Sequence, residues 1–157
     1  MKTIGLLGGM SWESSALYYQ LINEGLRDRL GTLHSAKLVM SSVDFAEIEK
    51  LQSAGDWDAA GRILAEQSRR LEAAGADFLV LCTNTMHKVA SDMEEAVSIP
   101  LLHLADTTAS AVTSAGIGTV ALLGTTFTME QDVYKERLTA HGLTDLVPDE
   151  AQRQIVH

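Results

Sequence analysis

The feature that most narrows the fold is an alternation of two patterns. Short apolar runs end in small or polar residues, and each is followed by a stretch with helical spacing. Residues 3–7, 37–41, 77–81, 99–103 and 119–123 read as strands, and 146–147 as a short sixth. Ser11 caps a helix whose Leu17, Leu21, Ile22, Gly25, Leu26 and Leu30 share one face. Asp44 with Glu47 has the spacing of a capping box, placing Phe45, Ile48 and Leu51 inward. Trp57, Ala60, Ile63, Leu64, Leu71 and Ala74 mark a longer helix that Gly75 stops. Asp106 is positioned to cap a helix running to Gly116, and residues 129–141 form another. Strands alternating with helices at these lengths imply a parallel α/β sheet. Ligands of such sheets bind beyond the carboxyl ends of the strands. Gly8-Gly9-Met10, Ser41-Ser42, Cys82-Thr83-Asn84 and Gly124-Thr125 lie at ends of that kind.

The third of these ends carries the chemistry. The apolar run from Phe78 stops at Cys82, the sole cysteine of the chain, and a helical pattern through Met86, Val89, Met93 and Val97 follows. The N–H groups that open a helix favour negative charge, so a thiol there is expected to have a lowered pKa. With the hydroxyls of Thr83 and Thr85, those N–H groups could also hold a carboxylate. The competing reading is an inert, buried cysteine. His87 could serve Cys82 as a base, or could sit on the surface of the first helical turn. Trp12 and Trp57 are expected to pack or to line helix ends.

Composition removes several classes of function. A chain of 157 residues makes one domain, or one and a fraction, and buries a core without disulfides. One cysteine excludes an intrachain disulfide and points to a reducing compartment, read here as the cytoplasm. His34, His87, His103, His141 and His157 show no metal-binding spacing. A net charge of −9 disfavours nucleic acid and anionic membranes as partners. The apolar residues after Lys2 are too few for an export signal or a membrane span. Gly116-Ile117-Gly118-Thr119-Val120-Ala121 fits G-x-G-x-x-A but precedes a strand, so it is not a dinucleotide site. The pairs Asp44/Glu47, Glu94/Glu95 and Asp149/Glu150 fall on caps or exposed faces and read as structural.

A short internal repeat suggests the organisation. Thr3-Ile4-Gly5-Leu6-Leu7-Gly8 matches Thr119-Val120-Ala121-Leu122-Leu123-Gly124, and each copy leads into a helix. If the repeat is real, the fold has two similar α/β halves. The same offset would carry the counterpart of Cys82 past residue 157. The expectation is therefore the front two-thirds of a longer protein. Residues 1–103 would form the N-terminal lobe with Cys82, and residues 104–157 the start of an incomplete second lobe. Such a fragment is expected to leave apolar edges uncovered and to aggregate or associate.

These motifs together resemble a known family. Gly8-Gly9-Met10-Ser11-Trp12-Glu13-Ser14 followed by Tyr18-Tyr19 resembles the opening of the aspartate/glutamate racemases. Leu81-Cys82-Thr83-Asn84-Thr85-Met86-His87-Lys88 is similar to the family's first cysteine motif. Leu123-Gly124-Thr125 with Thr128-Met129-Glu130 resembles the start of its second half. The resemblance spans essentially the whole chain and is nearest the aspartate racemase and broad-specificity branch. It implies two parallel-sheet α/β lobes, no cofactor, no metal, an amino acid as ligand, and a homodimer when the protein is complete.

The resemblance also implies roles for particular residues. Two cysteines would face the α-carbon from opposite sides, one removing a proton as thiolate and the other delivering one as thiol. Cys82 would be the first of them. Thr83, Asn84 and Thr85 would bind the carboxylate or ammonium group. Met10 would line the pocket, Gln52 would approach the substrate, and Thr125 would contribute from the second lobe. The family's second cysteine, in a Gly-Cys-Thr motif, is absent here. A neutral Gln52, where aspartate-selective members usually carry a basic residue nearby, favours a broader substrate range. Two other readings stand beside this one. The first is a catalytically inactive amino-acid-binding or scaffold protein. The second is a related cysteine isomerase or lyase acting on dicarboxylates.

Overall fold

The computed structural model describes residues 1–130 and 132–156. The chain divides into two compact units, Met1–Leu102 and His103–His157.

The first unit is built on three parallel strands, β1 (Ile4–Gly8), β2 (Leu38–Ser42) and β3 (Phe78–Leu81), in the order β2-β1-β3. The register aligns Leu7 with both Ser41 and Leu81, so the carboxyl ends of the strands lie side by side. β1 is the central strand and buried from Gly5 onward, which suits a parallel sheet covered by helices. The strand expected over residues 99–103 is reduced to one parallel bridge, Leu101 to Leu79. Pro100 carries no N–H to donate, so only its carbonyl serves the ladder, accepting from Leu79 N at 2.8 Å.

α1 (Trp12–Leu30) begins at Ser11, whose hydroxyl accepts from Ser14 N as the sequence suggested. Its apolar stripe is only half used. Ile22 and Leu26 are half-buried, whereas Leu17, Leu21 and Leu30 are exposed. α2 (Phe45–Ala54) starts at Asp44, whose carboxylate accepts from Ala46 N. Ile48 is fully buried, but Phe45, expected inward, is exposed. α3 (Trp57–Ala73) turns Ala60, Leu64, Ser68 and Leu71 inward, one face of a helix. Each buried leucine there contributes about 1.5–3 kcal/mol of transfer free energy. After β3 comes a 3₁₀ turn, Thr85–Val89, and then α4 (Ala90–Ala96). Gly61 of α3 lets that helix approach: a Cβ there would sit 2.7 Å from the Asp92 carboxyl carbon. The core joins Leu7, Ile48, Leu64, Leu79, Leu81, Met86 and Met93.

The second unit contains α5 (Leu104–Ser114), β4 (Thr119–Ala121), α6 (Thr126–Glu130), α7 (Asp132–Ala140), β5 (Thr144–Leu146) and α8 (Glu150–Val156). β4 and β5 pair in parallel, so both sheets of the chain are parallel. α5 is capped by His103, whose Nδ1 accepts from Ala105 N, and not by Asp106. Asp106 instead joins α5 to α7, accepting from Arg137 and lying 3.2 Å from His141 Nε2. The single helix expected over residues 129–141 is two, α6 and α7. His157 lies outside the described residues. Among the described residues, no helix is long and apolar enough to cross a membrane, and no three potential metal-ligating side chains cluster.

Candidate active site

Three strand ends converge in the first unit. β1 ends in Gly8 and Gly9, β2 in Ser42, and β3 runs into Cys82. The Cys82 N–H donates to the Leu7 carbonyl at 2.9 Å, which extends the β1–β3 ladder up to the thiol itself. Both glycines are required by their surroundings. A Cβ on Gly8 would lie 2.2 Å from Ser15 Oγ and 3.7 Å from the Cys82 Cβ. Gly9 has φ +94°, and a Cβ there would lie 2.3 Å from the Val43 carbonyl oxygen. Ser15, buried on α1, ties this loop down. Its hydroxyl accepts from Gly9 N and donates to the Ser11 carbonyl, both at 2.9 Å. Sequence reasoning misses Ser15. Its only signal is the Ser11-x-x-x-Ser15 spacing directly after a Gly-Gly turn.

Cys82 is completely buried. Burial pushes its thiol up from an ordinary 9.0 to about 12. This corrects the expectation of a lowered pKa. Desolvation penalises the thiolate, and the α-helix that was to stabilise it does not begin beside it. Three residues separate β3 from a short 3₁₀ turn, and α4 starts only at Ala90. In this structure Cys82 is therefore a thiol at neutral pH.

Thr83 and Thr85 are half-buried and Asn84 is exposed, so the segment after the cysteine passes from core to surface. Asn84 precedes the 3₁₀ turn without a side-chain capping bond. Met86 is fully buried, and Gln52 Nε2 approaches its sulfur at 2.9 Å. That contact brings Gln52 of α2 to the cysteine segment, although 30 residues of chain separate them. Met10 is 4% exposed and belongs to the packed core with Met86 and Ile48. His87, the surface position of one reading, is buried, and its Nδ1 lies 2.6 Å from the Thr83 carbonyl. Lys88 Nζ stands 4.1 Å over the Trp57 ring, packing that tryptophan, whereas Trp12 is 68% exposed. Thr125 belongs to the second unit, where its hydroxyl accepts from Thr128 N at the start of α6.

The structure thus gathers Cys82, Thr83, Asn84, Thr85, Met10 and Gln52 within one unit. The apolar groove lined by Ile4, Leu21, Ile22, Leu26 and Phe78, about 500 Å³, opens at the other ends of the same strands.

Residues 7–157 match the Asp/Glu/Hydantoin racemase family. The chain belongs to that family. It is similar to a Yersinia pestis protein classed with the Asp/Glu racemases, at 52% identity and a TM-score of 0.96, covering 99% of this chain and 68% of that one. An aspartate racemase homologue from Pyrococcus horikoshii superposes with a TM-score of 0.88 at 32% identity, with the same coverage. The broad specificity amino-acid racemase RacX of Bacillus subtilis is 27% identical over 100 residues, 64% of this chain and 44% of that protein. The chain therefore spans less than half of this curated relative and about two-thirds of the solved ones.

Proposed function

We propose that this chain supplies one face of an amino-acid racemase site, with Cys82 as the acid/base group. The observation that carries the reading is the family match over residues 7–157, with the Leu81–Lys88 motif placed at the carboxyl end of β3, where Thr83 is half-buried and Asn84 exposed. Inversion breaks the Cα–H bond, leaves its electron pair on carbon, and returns a proton from the opposite face. A thiol held near 12 is protonated at rest, so Cys82 is the donor in the resting form. A base on the other face must take the substrate's proton first. Cys82 is the only cysteine among the 157 residues. That base is therefore a different side chain, or it belongs to a segment or chain beyond these residues. Thr83, Asn84 and Thr85 offer hydroxyl and amide groups for the carboxylate, and N–H groups that can stabilise the developing carbanion. Gln52 approaches from α2 through its contact with Met86. Its neutral amide makes Gln52 compatible with more than acidic substrates. On this reading the reaction needs no cofactor, its setting is the cytoplasm, and the protein forms a homodimer.

The single cysteine favours a second reading, a binding protein that cannot invert its ligand. One experiment separates the two. The chain is incubated in D2O with L- and D-amino acids while α-deuterium and chirality are followed together, beside Cys82→Ser. Exchange with inversion, abolished by the substitution, is the expected result. Exchange with retention would mark Cys82 as a one-sided acid/base. Ligand-induced thermal stabilisation without exchange would establish the binding reading. Normal exchange by Cys82→Ser would refute the role of the cysteine.

A further inference from the structure

After Cys82 the chain makes a 3₁₀ turn in place of an α-helix. In an α-helix starting here, the His87 N–H would donate to the Thr83 carbonyl, four residues back. It donates instead to Asn84, at 3.0 Å. The Thr83 carbonyl is occupied by the side chain of the same residue, His87 Nδ1, at 2.6 Å. A carbonyl only accepts, so Nδ1 carries the proton. His87 is 2% exposed, so water does not compete for this bond. The segment is thus pinned at both ends. The Cys82 N–H is held by Leu7 on β1, and the carbonyl of the next residue is held by His87. Only a few backbone dihedrals lie between these anchors, and they set the direction of the thiol.

We propose that His87 is a positioning residue for Cys82, diverting the Thr83 carbonyl from the helix and so fixing the backbone that presents the thiol. The catalytic part of this inference rests on the racemase reading; the structural part does not. Without the Nδ1–H, the Thr83 carbonyl is freed to accept from the His87 backbone N–H, which leaves Asn84; the α-helix gains a turn toward Cys82, and the segment is re-aimed. Donor position is what matters, and two side chains of similar size separate it. Asparagine can place an N–H near the position of Nδ1. Glutamine reaches farther, toward Nε2.

The test uses the full chain with His87→Asn, His87→Gln and His87→Ala, each checked for its thermal midpoint. Cys82 is the sole cysteine, so iodoacetamide labelling followed by mass spectrometry reports on this one thiol, through its exposure and its thiolate fraction together. Labelling is expected to be slow in wild type and His87→Asn and several-fold faster in His87→Gln and His87→Ala. For α-deuterium exchange, Gln and Ala should lower kcat by about tenfold or more, the scale of a misplaced reacting group. KM should change less, and Asn should recover most of the rate. Asn labelling as fast as Gln would overturn the proposal, as would all three variants labelling at the wild-type rate. An Asn variant that labels slowly but exchanges as poorly as Ala would also overturn it, by making His87 a proton carrier. If wild type exchanges no amino acid at all, the racemase reading fails, while the labelling order still decides whether His87 positions Cys82.

Discussion

The buried thiol makes folding stability depend on alkaline pH in a calculable way. In the unfolded chain Cys82 loses its proton near its ordinary 9.0; in the fold it keeps it to about 12. Between those values the native state binds one more proton than the unfolded state, so stability falls as pH rises. The slope approaches about 1.4 kcal/mol per pH unit once the unfolded thiol has titrated. From pH 7.5 to 10.5 the loss should reach about 2 kcal/mol. With a urea slope of about 2 kcal/mol/M, that lowers the midpoint by about 1 M. Lysines and tyrosines also titrate in this range, so the quantity to measure is a difference. Urea unfolding of wild type and Cys82→Ser is compared at both pH values, and the shared contributions cancel. Trp12 and Trp57, the chain's two tryptophans, both lie in the first unit, so their fluorescence follows the unit that holds the thiol. Cys82→Ser should be less stable at pH 7.5 and should lose about 2 kcal/mol less on going to pH 10.5. Equal pH dependence in the two proteins would refute the reasoning, because the thiol would then titrate alike in both states.

Further expectations concern the loop, the core and one carboxylate. Gly9→Ala combines a positive φ with a Cβ 2.3 Å from the Val43 oxygen, so it should destabilise by about 1–3 kcal/mol or more in urea unfolding. Gly8→Ala should not be rescued by Ser15→Ala, because the Ser15 Cβ would still lie 2.7 Å from the new atom. Ile48→Ala, at a fully buried core position, should cost about 2–5 kcal/mol. Glu72 accepts from both N and Oγ of Ser98, which hold its carboxyl below the ordinary range. A lowered pKa contributes stability above the ordinary value of 4.5 that is lost as pH falls through the folded one. Glu72→Gln should therefore flatten the acid limb of the thermal midpoint measured from pH 6 to pH 3; an unchanged limb would show that the Ser98 bonds do not persist in solution.

The local elements and the place of the chemistry were legible from neighbouring residues. Ser11 and Asp44 act as caps because their side chains reach N–H groups two or three residues away. The Gly8-Gly9 turn, the inward face of α3 and the end of β3 at Cys82 were legible for the same reason: the signal and its consequence lie within a few residues. The cysteine motif points to the family from a single unbroken run, Leu81 to Lys88. The tertiary structure alone decided what is buried and what therefore titrates. Parallel pairing sets Leu7 beside Leu81 and carries the ladder up to Cys82, where the loss of water outweighs any local stabilisation of a thiolate. Leu17 and Phe45 carry helical spacing equal to that of Leu64, yet they are exposed, because spacing cannot state which elements exist to cover a face. His87 shows the same limit at shorter range. Its spacing put it four residues from Thr83, but only the fold buries it there, in place of water and of the backbone donor. Burial and pKa are properties of neighbours distant in sequence, so they emerge with the packing and not before it.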